Sequence, residues 1–309
     1  MDGIDGGRSP DEREVHRVHH DLNGDQALST SVTVAVADAA GVEPSDIPEQ
    51  LYDVIDPEAL DTLFEPRDDG TPRRGGRLAF SLYGHHITVD GDGTVTVQPG
   101  LARIKERGGN VLVVGSVPDT VFDAASTLLL GETARGRTRL FALRGRGLST
   151  ASDRLSAVDA AGDDAHVLNH RTGARSAADA DAEPAGPTVE SVTGGDDDLR
   201  ETVVAAIERL DDERDFDPAE LRFCFDSLRP VVEDGTADEV DAFLDPICRA
   251  VEEASGMGHY VLPVEYGSRP VRAIEDKFDA VVELRTGDAG PQQRWHLRTT
   301  QHTTEWFSL

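Results

Sequence analysis

Residues Asn110-Val111-Leu112-Val113-Val114-Gly115 form an apolar run that ends in glycine. No polar residue alternates through Val111–Val114, so a strand here would be apolar on both faces. The same kind of run recurs along the rest of the chain, separated by helical apolar spacing. Strands are expected at 110–115, 138–144, 165–169, 221–226, 258–264 and 279–285. Helices are expected at 118–130, 197–213, 236–254 and 269–277. Alternation of this kind requires a mostly parallel sheet with helices on both faces, an α/β domain over residues 110–309. Gln293–Leu297 and Glu305–Leu309 read as strands added at the end, with antiparallel pairing allowed.

A strand closing on glycine and followed by a helix is the frame of a phosphate-binding loop, G-x-x-x-x-G-K-[ST]. Counted from Gly115, the second glycine falls on Thr120, the lysine on Val121 and the hydroxyl residue on Phe122. Such a loop cradles phosphates on backbone N–H groups, while its lysine reaches the outer phosphates and its hydroxyl holds Mg²⁺. Val121 and Phe122 supply neither charge nor oxygen. Pro118 also removes a donor at the first helical turn.

Leu221-Arg222-Phe223-Cys224-Phe225-Asp226-Ser227 reads as the second strand of such a site, with its terminal acid present. Asp226 and Ser227 are cofactor-site remnants, or they cap the following turn. The adjoining strand offers Arg144-Gly145-Arg146-Gly147 where a catalytic acid belongs. Arg144 and Arg146 are candidates for an anion at the carboxyl edge, where open sheets place ligands. Gly115, Asp226, Ser227, Arg144 and Arg146 are therefore the candidate binding residues. No catalytic residue, metal ligand or cofactor is assigned. His259 reads as structural at the start of a strand, and Trp295 and Trp306 as packing for the terminal strands.

The N-terminal part has a different pattern. Residues 1–25 are polar and aperiodic and read as a flexible tail. The cluster His16, His19 and His20 lacks a further ligand. Asp21-Leu22-Asn23-Gly24-Asp25 has calcium-loop spacing, but Gln26 and Val32 stand where a glycine and a bidentate acid are required. Residues 28–41 have helical character, with Ser29 or Thr30 as cap and Gly41 beyond the end, although Val32, Val34 and Val36 also fit a strand. Asp56-Pro57-Glu58 is a helix start, with Leu60, Leu63 and Phe64 expected on its buried stripe. Arg77–Tyr83, Ile87–Val89 and Val95–Val97 then alternate as an antiparallel meander, with a turn at Asp90-Gly91-Asp92-Gly93. Residues 26–98 thus form a small α+β domain of two helices plus a meander. Residues 99–109 are a linker, and 171–198, rich in Ala, Asp, Gly and Pro, a mobile insertion.

Two resemblances follow. Leu51-Tyr52-Asp53-Val54-Ile55-Asp56-Pro57-Glu58-Ala59-Leu60 and Gly93-Thr94-Val95-Thr96-Val97 make residues 26–98 similar to the halobacterial output domain of haloarchaeal signalling proteins. Gly109–Val114, Phe225-Asp226-Ser227-Leu228, Gly256-Met257-Gly258-His259-Tyr260 and Phe278–Arg285 make residues 106–309 resemble a haloarchaeal family of degenerate RecA/KaiC-like domains. That resemblance implies the fold and transfers no activity; ring-forming relatives leave a homo-oligomer open.

Charge narrows the setting. The chain carries 59 acidic and 30 basic residues, a formal net charge of −29, with lysine only at Lys105 and Lys277. An acidic surface suits a salt-loaded cytoplasm, where at 1 M salt the Debye length is only about 3 Å and carboxylate repulsion is screened. Duplex nucleic acid is disfavoured because phosphate neutralisation needs clustered cations; Arg73, Arg74 and Arg77 are the one basic turn. Cys224 and Cys248 lie in apolar surroundings and read as core thiols. The polar start gives no secretion signal, and no apolar run is long enough for a membrane span. The expectation is a cytoplasmic signalling or regulatory protein, with a protein partner and a non-hydrolytic second domain. The alternatives are a nucleotide-binding enzyme working near Asp226 and Arg144, and a transcription regulator.

Overall fold

A computed structural model describes residues 15–24, 26–47, 50–65, 75–99, 104, 107–131, 136–158, 165–170, 187–287, 290–298 and 302–309. Arg73, Arg74 and most of the expected insertion lie outside these residues. The chain divides into two compact units near residue 103.

The first unit is a 4-stranded antiparallel sheet in the order β1-β4-β3-β2. Its strands are β1 (His16–His19), β2 (Arg77–Leu82), β3 (His85–Asp90) and β4 (Thr94–Pro99). The helices are α1 (Leu28–Ala40), α2 (Leu51–Val54) and α3 (Pro57–Phe64). β1 corrects the reading of residues 1–25 as tail: Val18 opposes Val95 and His16 opposes Val97. Gly93 explains why the strand docks there. The His20 N–H donates to the Gly93 carbonyl at 2.8 Å, and a Cβ on Gly93 would lie 2.3 Å from the His20 carbonyl oxygen. His20 itself bonds Ser31 on α1 through Nδ1 at 2.8 Å.

The valine pattern of α1 resolves as a helix because Val32 and Val36 share one buried face while Val34 is exposed. Its N-cap is Ala27, not Ser29 or Thr30. Ser29 instead ties α1 to α3, its N–H and Oγ donating to the Asp61 carboxylate at 2.7 and 2.9 Å. α3 starts where expected: Asp56 Oδ1 accepts from the N–H groups of Glu58 and Ala59 at 3.0 and 3.3 Å. Leu60 and Phe64 are buried, but Leu63 points outward. Asp56→Ala is expected to cost about 1 kcal/mol of stability, the usual cost of a lost N-cap, measurable by urea unfolding in molar KCl.

The second unit is a 10-stranded sheet in the order β13-β12-β11-β5-β10-β9-β6-β7-β8, with β14 also on β12. Its parallel strands are β5 (Gly109–Gly115), β6 (Thr138–Arg144), β7 (Ala165–His170), β8 (Thr188–Val192), β9 (Leu221–Asp226), β10 (Met257–Leu262) and β11 (Ala280–Gly287). β12 (Gly290–Leu297) runs antiparallel to β11, and β14 (Phe307–Ser308) antiparallel to β12. β13 is His302–Thr303. β8 falls inside the stretch read as a mobile insertion, and Gly109, read as linker, opens β5.

The helices α4 (Asp119–Leu130), α5 (Leu148–Ala157), α6 (Asp196–Arg214), α7 (Arg229–Asp234), α8 (Ala237–Glu253) and α9 (Arg269–Ile274) accompany these strands. The two faces of the sheet differ in chemistry. Phe223, Phe225 and Tyr260 point to the side covered by α6 and α8, against Val203, Ile207, Phe243 and Leu244. Between them, Arg222, Cys224, Asp226 and His259 point to the other side, the two-residue alternation of a strand. That second face sets these polar groups among an apolar cluster of Phe141, Leu143, Val167 and, from the helices, Leu130, Ala151 and Leu155, and α4 and α5 lie over it.

Buried cations fasten α4 at its carboxyl end. Arg222 Nη1 donates to the Leu129 carbonyl at 3.4 Å and reaches the Met257 sulfur. Arg139 Nη2 donates to the Gly131 carbonyl at 3.0 Å. A helix C-terminus exposes unpaired carbonyls and a partial negative charge, so guanidinium groups are favoured there.

Candidate functional site

β5 and β9 deliver Gly115 and Asp226 to the carboxyl edge, with β10 between them. Gly115 is constrained by its neighbour: a Cβ there would stand 2.8 Å from the Leu284 carbonyl oxygen. Its N–H donates to the Val264 carbonyl at 2.8 Å. Three residues, Ser116 to Pro118, connect it to α4. The positions of the lysine and the hydroxyl are Val121 and Phe122, both buried. The first helical turn exposes Asp119 and Thr120 instead.

Asp226 is committed elsewhere. Its Oδ2 accepts from Arg154 Nη2 at 2.6 Å, and the two side chains are 2% and 1% exposed. Arg154 comes from α5, where it shares the inward stripe with Ala151 and Leu155. Its Nε and Nη2 also donate to Asp123 of α4 at 3.1 and 2.8 Å. Its Nη1 lies 3.2 Å from the Cys224 sulfur. Burial works to lower the Arg154 pKa, but the surrounding Cys224, Asp226 and Asp123 outweigh it and raise the value above the ordinary one, so the charge persists. Burial pushes the Cys224 thiol up to about 12, which leaves it an unreactive neutral acceptor for Arg154 Nη1.

Arg146 extends the network outward. Its Nη1 donates to Asp119 at 2.6 Å, and its Nε is 3.5 Å from Asp226 Oδ2. Arg144 pairs with Asp196 at the start of α6, at 2.7 Å. Ser227 Oγ accepts from the Arg229 N–H at 3.1 Å and so opens α7. Of the five expected residues, Asp226 and Arg146 meet in one network. Arg144 and Ser227 serve neighbouring helix starts, and Gly115 packs against β11. His259 sits within β10, fully buried, where burial and then the charge of Arg154 push its pKa down to about 3.

Arg154, Asp119 and Asp123 were not legible as site residues. The signal in the sequence is an arginine set into an apolar i, i+3, i+7 stripe, Leu148-Ala151-Leu155.

The chemistry of this edge does not fit Mg²⁺–nucleotide. Asp226 is held by a guanidinium, and Val121 and Phe122 offer no oxygen to a magnesium ion. A phosphate needs positive charge at the start of α4, and two aspartates stand there, each paired with an arginine. Among the described residues no group of three or more His, Cys, Asp or Glu is placed to hold a metal. No described helix is long and apolar enough to cross a membrane.

Comparison with known proteins agrees with the division into units. Residues 108–284, more than half of the chain, match the family of unknown function DUF7504, and the chain belongs to that family. Residues 24–99 match halobacterial output domain 1. No curated protein matches. Among solved structures, the chain is similar to the uncharacterized protein PH0321 from Pyrococcus horikoshii in complex with an unknown peptide, at 12% identity and a TM-score of 0.42, covering 62% of this chain and 84% of that one. It is also similar to the KaiC-like protein PH0186 from Pyrococcus horikoshii OT3, at 13% identity and a TM-score of 0.36, covering 64% and 82%.

Proposed function

We propose that this chain is a haloarchaeal signalling or regulatory protein of the cytoplasm. Residues 24–99 are its output module, and the second unit is a nucleotide-site scaffold that works as a platform for a protein partner. The output-domain match supports the signalling role. The observation that carries the platform reading is the Arg154–Asp226 ion pair at 2.6 Å, with both side chains almost fully buried. A carboxylate so engaged is withdrawn from metal and water alike. The reading of a nucleotide-binding enzyme requires Arg146 to leave Asp119 and Arg144 to leave Asp196. The reading of a transcription regulator loses Arg77, which pairs with Asp90 at 2.7 Å.

Isothermal titration with ATP–Mg²⁺ in molar KCl tests the platform reading. No heat of binding is expected in the micromolar range. Micromolar affinity, or turnover lost in Asp226→Ala, overturns it.

A further inference from the structure

Toward the β13 end of the sheet of the second unit, β11 and β12 carry a cluster of cationic and aromatic side chains. Arg285 and Arg294 approach the ring of Trp306, their guanidinium carbons 3.9 and 4.6 Å from its centroid. The register, with Glu283 opposite Arg294 and Arg285 opposite Gln292, puts both arginines on one face. Arg294 is neutralised by Glu283 at 2.7 Å, which also meets His296 Nε2 at 3.0 Å. Arg285 is exposed and, besides its stacking on Trp306, donates to the neutral Gln292 Oε1 at 2.9 Å. Among the described residues no carboxylate lies within ion-pair range of it. Residues 290–309 hold two arginines and two histidines against one acid, Glu305, in a chain with a net charge of −29. This stretch is thus poorer in acid than the chain as a whole, and a half-buried aromatic ring stands beside a guanidinium that has no ion-pair partner among the described residues.

We propose that this face binds an acidic peptide segment of a partner protein. A carboxylate of the segment takes the remaining Arg285 N–H groups in a planar, bidentate contact, and an apolar neighbour packs on Trp306. The existing arginine–tryptophan contacts hold the ring in place, so little rotamer entropy is lost on binding. A nucleic acid is the poorer occupant: it needs several neutralised phosphates in a row, and this face offers one arginine without an ion-pair partner among the described residues. The proposal rests on the platform reading and names the chemistry of its partner.

The chain has two tryptophans. Trp295 is buried and donates to Gln293 at 3.1 Å, so a solvent-dependent emission shift reports on Trp306. The full chain is titrated in molar KCl with an octapeptide of alternating glutamate and leucine, and separately with an oligothymidylate of equal charge. A saturable emission shift is expected with the peptide and none with the oligonucleotide. Arg285→Glu should weaken the peptide at least tenfold while circular dichroism stays unchanged. Anisotropy of a labelled peptide should show the same loss for Trp306→Ala. Absence of saturation, equal binding of the oligonucleotide, or unchanged affinity in Arg285→Glu overturns the proposal. Micromolar ATP binding in the separate titration instead overturns the reading beneath it.

Discussion

Arg154→Met is expected to lower the unfolding free energy by about 3–5 kcal/mol, the cost of stranding a buried charge without its partner. The two acids it serves would respond differently. Asp123 is 39% exposed and regains water when the guanidinium is gone. Asp226 is 2% exposed and does not. The loss should therefore fall almost wholly on Asp226, with Arg146 at 3.5 Å offering partial relief. The double variant Arg154→Met/Asp226→Leu is the decisive companion. An apolar pair of similar volume is often as stable as a buried ion pair, because neither group then has to be desolvated. Most of the loss should return. Urea unfolding in molar KCl gives both numbers. A single variant within about 1 kcal/mol of the parent would mean that water already reaches Asp226, and the account of the site as a sealed ion pair would fail.

Acid should weaken the parent protein in a window set by His259. Its pKa is about 3 in the folded chain, against an ordinary value of 6.5. As the pH falls below 6.5, the unfolded chain takes up a proton that the folded chain refuses, so stability declines until the folded pKa is reached. The slope approaches about 1.4 kcal/mol per pH unit from this one group, several kcal/mol over the window. His259→Asn keeps a donor near the position of Nδ1 for the Phe223 backbone while removing the titration. The difference between the stability curves of variant and parent, taken from pH 7 to 4 at fixed KCl, isolates the group from the titrating carboxylates. Parallel curves would show that His259 protonates freely in the fold. Because the Arg154 charge contributes to the depression, Arg154→Met should also shift the decline of stability toward lower pH sensitivity.

Much of this architecture could be read before any coordinates. β6 and β9 fall on their expected bounds, and α1, α3 and α4 begin or end within a residue of theirs. Strong local signals account for this. Unbroken apolar runs admit only a strand covered on both faces, and Asp56-Pro57 supplies both a cap and a fixed backbone angle for a helix start. What was missed has a common cause. β1 and β8 are short, and His16–His19 shows no apolar preponderance; their pairing energy comes from β4 and β7, which are distant in sequence. α5 was missed because its inward stripe contains an arginine, which reads as a surface residue until Asp226 appears opposite it.

The absence of a lysine and a hydroxyl at Val121 and Phe122 was plain from spacing alone, since residue type at a counted position needs no partner to be interpreted. The net charge was equally direct, being a sum along one chain. The fate of Asp226 was not. A terminal acid on a strand has the same sequence whether it holds a metal, caps a turn or meets a guanidinium. Choosing among these required α5 to bring Arg154 from 72 residues away to 2.6 Å. Long-range electrostatic pairing is carried by geometry rather than by order along the chain, and in this protein it makes the terminal acid of β9 half of an internal ion pair.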